Sequence, residues 1–247
     1  MQLRLVRISR LSLVFQVSKR MLIHIPRVLT SDEVLYCLRQ LGASQWVDGK
    51  VTAGDQSAKA KTNLQIAQDS EVGRKLGTLV LNALARNELF TSAALPLRVF
   101  PPLFNRYDAG MEFEYHVDNS IRPDPETGFR IRTDVSSTLF LSGPDEYDGG
   151  ELVIQDTYGT HSVKFPAGDL VLYPSTSLHK VNRVTRGSRW ASFFWTQSMV
   201  KDDGCRTLLY ELDQSIRSVR QLIPDTTPAI LGLTSTYHNL VRKWAEL

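Results

Sequence analysis

Cysteine is scarce: Cys37 and Cys205 are the only two in 247 residues, far apart and without any CxxC spacing. That excludes a disulfide framework and a thiolate zinc site, and it fits a reducing compartment, the cytoplasm. Long apolar runs are also missing. The N-terminal stretch "LRLVRISRLSLVFQVSKR" interleaves basic with apolar residues, so it offers neither the core of a signal peptide nor a membrane span. No low-complexity tract or internal repeat occurs. Net charge is small, +3 from 29 basic and 26 acidic residues, and gives no ground for expecting nucleic acid as a partner.

What is present is an ordinary soluble composition, 42% hydrophobic and 22% charged, long enough for one large domain or a domain with a small appendage. Residues 1–20 carry Arg4, Arg7, Arg10, Lys19 and Arg20 with no acid, while the remainder is mildly acidic. Met21 opens "MLIHIPRVLTSDEV", which reads as a natural beginning, so 1–20 is expected to be a non-native or poorly ordered extension. "TSDEVLYCLRQLG" (30–42) carries helix signals: Thr30 or Ser31 to cap, Asp32 and Glu33 in the first turn, Gly42 to stop. Residues 47–63 are polar and read as a loop, and 70–90 have helical apolar spacing. From about residue 97 eight short apolar or alternating runs follow one another, separated by clusters such as "SGPDEYDGG" and "PAGD". This predicts a β-sandwich or barrel rather than βαβ units, which would need helices in between. After residue 200 the pattern is helical again. The expected division is a domain over 21–198, its β-core at about 97–198, followed by a helical appendage over 199–247.

Two of the five histidines fall at predicted strand ends in the β-core. His116 stands two before Asp118 in "YHVDNS", and alternate residues of a strand share a face. Such a pair can grip a metal or simply face solvent. His179 follows the strand and turn of "GDLVLYPSTSL". Two histidines and a carboxylate at one barrel mouth would form the facial triad of non-haem Fe(II), with three coordination positions left open; zinc accepts the same donors. Ten residues beyond His179, Arg189 opens the apolar strand "RWASFFW". A guanidinium there either meets an anion, for which its planar fork suits a carboxylate, or lies on an edge strand in solvent. Arg183 and Arg186 read as surface residues, and His24, His161 and His238 are not assigned to a metal. Asp108 and Glu112 read as solvated loop acids, and Gly149 and Gly150 as a tight turn or bulge.

Together, "NRYDAGMEFEYHVD", "DEYDGGELVI" and "GDLVLYPSTSLHKVNRVTRGSRWASFFW" resemble the Fe(II)/2-oxoglutarate dioxygenases. Within them they resemble the prolyl-4-hydroxylase-like group and its bacterial PKHD-type hydroxylases, which are associated with iron uptake. The motifs lie within residues 97–198, and the combination is far more specific than HxD alone. The resemblance implies a mainly β fold with flanking helices (α+β): a double-stranded β-helix of the jelly-roll or cupin-like kind, plus the small C-terminal helical appendage. It implies His116, Asp118 and His179 as iron ligands, Arg189 on the distal carboxylate of 2-oxoglutarate, and Tyr107 beside the co-substrate. Phe140 stands where some eukaryotic prolyl hydroxylases have a tyrosine that also holds that carboxylate. The implied reaction consumes O₂ and 2-oxoglutarate, releases succinate and CO₂, and hydroxylates an unactivated C–H bond of a small-molecule or peptide substrate that the sequence does not identify. L-Ascorbate is implied as the reductant that restores the iron.

Three other readings fit parts of the pattern. A nucleic-acid dealkylase would carry a second arginine six residues after Arg189, where Trp195 stands. A cupin-type metal enzyme without 2-oxoglutarate would not need Arg189, and a non-catalytic binding module would have no reason to keep three ligands. Loop 119–133, "NSIRPDPETGFRIRT", follows the ligands and reads as a lid; Arg122, Arg130 and Arg132 in it could select an anionic or peptide-like substrate, or the loop could simply be solvated. No membrane partner is expected, and the sequence does not indicate an oligomeric state.

Overall fold

The computed structural model describes residues 22–52, 60–124, 127–156 and 159–247; residues 1–20, read above as an extension, lie outside them. The strands are β1 (Ile23–Ile25), β2 (Val47–Asp48), β3 (Lys61–Thr62), β4 (Leu64–Gln65), β5 (Pro96–Val99), β6 (Leu103–Asp108), β7 (Glu112–His116), β8 (Ile121–Pro123) and β9 (Arg130–Arg132). They continue as β10 (Val135–Phe140), β11 (Tyr147–Gly149), β12 (Leu152–Asp156), β13 (Gly159–Val163), β14 (Leu170–Pro174), β15 (Leu178–Val181) and β16 (Val184–Ser198). The helices are α1 (Ser31–Gly42), α2 (Glu71–Ala85), α3 (Glu88–Ala94), α4 (Asp203–Arg220) and α5 (Pro228–Trp244).

The strands form two antiparallel sheets and a hairpin. The larger sheet runs β1-β14-β10-β16-β6-β4-β2, with β11 and β5 also pairing with β16; the smaller runs β13-β12-β15-β7-β3; β8 and β9 make the hairpin. This is the double-stranded β-helix expected from the sequence, flanked by helices.

Alternation along the strands explains why both faces of the larger sheet are buried. On β14, Leu170 and Leu172 pack with α1, α2 and α3 in the outer core, whereas Val171 and Tyr173 point between the sheets. On β10, Val135 and Leu139 face the helices and Phe140 faces the other sheet. Helix α1 begins with a capping box, in which Thr30 Oγ1 accepts from the Glu33 N–H at 3.3 Å and the Thr30 N–H donates to Glu33 Oε2 at 2.8 Å. No helix among the described residues is long and apolar enough to cross a membrane.

Several boundaries differ from the sequence reading. The stretch 47–63 contains β2, β3 and a 3₁₀ turn over Gly49–Thr52, because its backbone completes the edges of both sheets. Asn87 caps a new helix by accepting from the Phe90 N–H at 2.9 Å, which divides 70–90 into α2 and α3. Part of 119–133 is the β8–β9 hairpin rather than irregular loop. The run "HKVNRVTRG" divides: "HKV" belongs to β15, and "VTRG" joins "RWASFFWTQS" in one continuous 15-residue strand, β16. Beside it, Gly149 has φ +70° and a Cβ there would lie 2.1 Å from the Arg183 carbonyl oxygen, where the β11 register slips.

Candidate metal and co-substrate site

Strand β7 ends at His116, and β15 sets His179 directly opposite it. Between that pair and Phe113–Val181, β7 spends one more residue than β15, a bulge that turns Phe113 and His116 to the same side. Their rings stack at 3.5 Å, and the two imidazoles lie 4.2 Å apart. The chain then leaves the sheet, and Asp118, two residues past His116, folds back so that His179 Nε2 is 3.7 Å from its Oδ2. One potential ligand atom from each of His116, Asp118 and His179 lies within 4.8 Å of the others, the one such group of three among the described residues.

Backbone carbonyls set the imidazole tautomers. His116 Nδ1 donates to the Glu114 oxygen at 2.8 Å and His179 Nδ1 to the Ser177 oxygen at 3.0 Å. A carbonyl only accepts, so each Nδ1 carries a proton, and in the neutral ring it is Nε2 that has the lone pair. Ser136 Oγ donates to Asp118 Oδ2 at 2.6 Å and shares a 2.7 Å hydrogen bond with Ser175 Oγ. Burial first, and the neighbouring His179 second, lower the His116 pKa to about 4. Burial acts to raise Asp118, but His179 and hydrogen bonds from Ser136 and Trp195 outweigh it and hold the carboxyl below its ordinary value. At neutral pH the site therefore offers a neutral imidazole at His116 and an ionised carboxylate, the forms that bind a divalent cation. The donor set fits ferrous iron on these grounds.

Arg189 is 1% exposed and sits on β16 opposite Tyr107 of β6. Its guanidinium lies 5.5 Å from the Tyr107 ring and 5.4 Å from that of Phe140. Nε has no hydrogen-bond partner, and Arg189 takes part in none of the ion pairs formed among the described residues. A guanidinium buried in this way is costly unless an anion joins it, so this end of the cavity fits a carboxylate. Burial, partly opposed by the Arg189 charge, pushes the Tyr107 hydroxyl up to about 12, so it remains a proton donor.

Arg189, Tyr107 and the three candidate ligands line a single cavity of about 710 Å³, counting the part open to solvent. Sequence reasoning missed other members of its wall: Lys61, Asn105, Ser136, Thr138, Tyr173 and Trp195. Lys61 comes from the two-residue edge strand β3, which has no periodic signal, and Asn105 from β6, paired between β16 and β4, while the alternation of β10, β14 and β16 could have located the rest. Of the three arginines in 119–133, only Arg122 lines the cavity. Arg132 instead donates to Asp134 at 2.7 Å. The remaining histidines lie elsewhere: His24 bonds Asp169 at 2.7 Å and His161 bonds Asp156 at 3.0 Å, while His238 lies on α5. Asp108 takes a hydrogen bond from Ser188 at 2.6 Å, and Glu112 pairs with the exposed Arg183.

Comparison with known proteins places this chain in a class. Residues 102–197 match the 2OG-Fe(II) oxygenase superfamily, and residues 203–246 match the PKHD-type hydroxylase C-terminal domain. A PKHD-type hydroxylase of Gluconobacter oxydans is 72% identical over 227 residues, covering 92% of this chain and all of the relative. Those of Cupriavidus metallidurans (64%) and Pseudomonas aeruginosa (PiuC, 59%) likewise cover 92% and 100%. A Trichoplax adhaerens prolyl hydroxylase, solved with a fragment of a hypoxia-inducible factor, shares the fold at TM-score 0.53 and 15% identity, covering 74% of this chain and 86% of that one. A Pseudomonas putida prolyl-4-hydroxylase does so at 0.50 and 19%, covering 73% and 95%. The chain belongs to the PKHD-type hydroxylase family. It is a hydroxylase of the 2OG-Fe(II) oxygenase superfamily, an oxidoreductase whose family implies Fe(II) and 2-oxoglutarate.

Proposed function

We propose that His116, Asp118 and His179 hold Fe(II), and that Arg189, with Tyr107 beside it, holds the distal carboxylate of 2-oxoglutarate. The observation that carries this is the buried Arg189, without an acid partner among the described residues, in the same cavity as two histidines and an aspartate. With the keto acid and O₂ bound, the metal supplies the oxidising power that places one oxygen atom in a substrate C–H bond and the other in succinate as CO₂ leaves. The chain's own residues do the positioning. The carbonyls of Glu114 and Ser177 hold the imidazole tautomers, and Ser136 fixes the Asp118 carboxylate. Tyr107 and Phe140 keep the Arg189 guanidinium dry, which strengthens its hold on an anion.

By the likeness of its motifs, the reading extends to L-ascorbate as the reductant, to iron uptake or homeostasis, and to the cytoplasm. Residues 21–198 form the oxygenase domain in this reading, with its β-core at about 97–198, and 199–247 are a helical appendage; the separate family matches of 102–197 and 203–246 support the division. The test uses carboxyl-labelled 2-oxoglutarate with Fe(II) and ascorbate under air. Wild-type protein is expected to release labelled CO₂ and succinate in equal amounts even without the primary substrate, and Arg189→Met to release at least tenfold less at low co-substrate. Absence of Fe(II)-dependent CO₂ release from the wild type would refute the reading.

A further inference from the structure

Beside Arg189 lies a polar group that the site described above leaves unused. Tyr147, on β11, is 0% exposed and pairs with Gly187 of β16, two residues before Arg189. Paired residues share a face of a sheet, and so do alternate residues of one strand. The side chains of Tyr147 and Arg189 therefore lie on the same face as diagonal neighbours, a separation that aromatic and long side chains bridge. Gly187 puts no side chain between them, and Tyr147 joins Tyr107 and Phe140 in one buried cluster.

The Tyr147 ring has little freedom. A Cβ on Gly150 would lie 2.9 Å from its Cε2, and Lys164 Nζ stands 4.0 Å from the ring centroid while donating to the Tyr147 carbonyl at 2.5 Å. The hydroxyl is thereby fixed in a dry interior, yet its oxygen has no hydrogen-bond partner among the described residues. The Arg189 guanidinium is near enough for its charge, and for an N–H contact short of a full hydrogen bond, to act on it. Burial, partly opposed by Arg189, raises the Tyr147 pKa, so the hydroxyl keeps its proton. Beside a cation the oxygen turns its lone pairs to the charge and its proton away, and that proton lacks an acceptor. Two unsatisfied donors, Arg189 Nε and Tyr147 Oη, are therefore buried side by side, and each is costly alone. A carboxylate accepts about four hydrogen bonds, of which a guanidinium edge supplies about two, so one carboxylate could satisfy both residues.

We propose that the Tyr147 hydroxyl donates a hydrogen bond to the distal carboxylate of 2-oxoglutarate, alongside Arg189; this rests on the reading that Arg189 binds that carboxylate. Tyr147 is then a co-substrate-binding residue supplied by β11, a strand that carries no other residue of the site. Phe140, 5.4 Å from the guanidinium, has no hydroxyl to give. Arg189 supplies the charge and Tyr147 a directed bond, so the carboxylate takes one orientation and the keto group is presented to the metal in one way. The ring is already held in place, so little ordering is needed when the anion arrives.

The experiment compares the full-length wild type with Tyr147→Phe, which removes the hydroxyl and keeps the ring. Two quantities are measured: the melting temperature without metal or keto acid, and the affinity of the Fe(II)-loaded protein for 2-oxoglutarate. The affinity is titrated anaerobically by calorimetry, with the visible charge-transfer absorption as the sign of loading. The two are expected to part. Losing an unpartnered buried hydroxyl should leave the free protein as stable as the wild type or more so. 2-Oxoglutarate should nevertheless bind the variant about tenfold more weakly, the scale of one hydrogen bond to a charged group. Fe(II) affinity, read by competition with a chelator, should be unchanged. Equal affinity of variant and wild type for 2-oxoglutarate would overturn the proposal. So would a variant that melts well below the wild type or fails to fold, since the hydroxyl would then brace the interior rather than meet the ligand. A parallel loss of Fe(II) affinity would place the effect at the metal and would also overturn it. If the wild type binds no 2-oxoglutarate, the metal and co-substrate reading itself fails; if it binds and the variant matches it, only the role of Tyr147 fails.

Discussion

Ser136 holds the Asp118 carboxylate, the acid proposed to bind iron. Removing its hydroxyl leaves Asp118 with the Trp195 hydrogen bond alone and Ser175 without its shared one, so Ser136→Ala should weaken Fe(II) affinity by about tenfold, read by competition with a chelator. Lys61 carries a cost instead. Burial, and then the charge of Arg122, lower its pKa to about 8, with Asp118 and Asp48 opposing. Below about 8 both folded and unfolded chains hold the proton, and the folded state bears the full penalty, on the order of 3 kcal/mol. Between about 8 and the ordinary lysine value the unfolded chain holds more protons, so stability rises with pH, and above both values the penalty is gone. Lys61→Met should therefore be more stable than the wild type at pH 7, with the difference shrinking towards pH 10 in denaturant melts. His116, Asp118, His179 and Arg189 could be singled out in the sequence as one candidate site by residue type and spacing, and the structure brings all four to one cavity. Lys61 could not be singled out, since a lysine in a polar stretch reads as solvated until the fold closes over it. Arg122 could not be told from Arg130 and Arg132 for the same reason.

Among the elements, the alternation of β10, β14 and β16 is what sorts side chains between the helix-facing core and the cavity, and those strands were readable from their apolar runs. The bulge in β7 was not, because the extra residue shows only against its partner strand. Nor was the joining of two apolar runs into β16, whose ends are set by pairing with β5, β6, β10 and β11. Gly149, by contrast, was legible as a turn or bulge glycine. Gly149→Ala would force a Cβ against the Arg183 carbonyl at positive φ, and should cost about 1–3 kcal/mol of stability, measured by urea denaturation. A variant as stable as the wild type would show that β11 can shift its register without penalty.

In the whole molecule, the helical end is tied to the oxygenase body by side chains from both. Ser92 donates to Asp213 at 2.7 Å, Arg217 pairs with Glu88 at 2.7 Å, and Leu209 packs with Leu95 and Val200, joined by Trp244. Cutting the chain after Asp202 would expose this cluster and remove the buried Arg206, so the truncated protein should melt roughly 10 °C or more below the full chain or fail to stay in solution. An unchanged melting temperature would make the helices an independent unit. The architecture as a whole followed from the run of short strands and the helical tail, whereas the division of α2 from α3 hinged on one capping asparagine. The central claim, that His116, Asp118, His179 and Arg189 bind iron and 2-oxoglutarate together, is tested most directly by anaerobic titration with both while the visible charge-transfer absorption is recorded. The account predicts that the absorption appears in the wild type and is weakened by His179→Ala and by Arg189→Ala. Iron bound without that absorption in the wild type would contradict it.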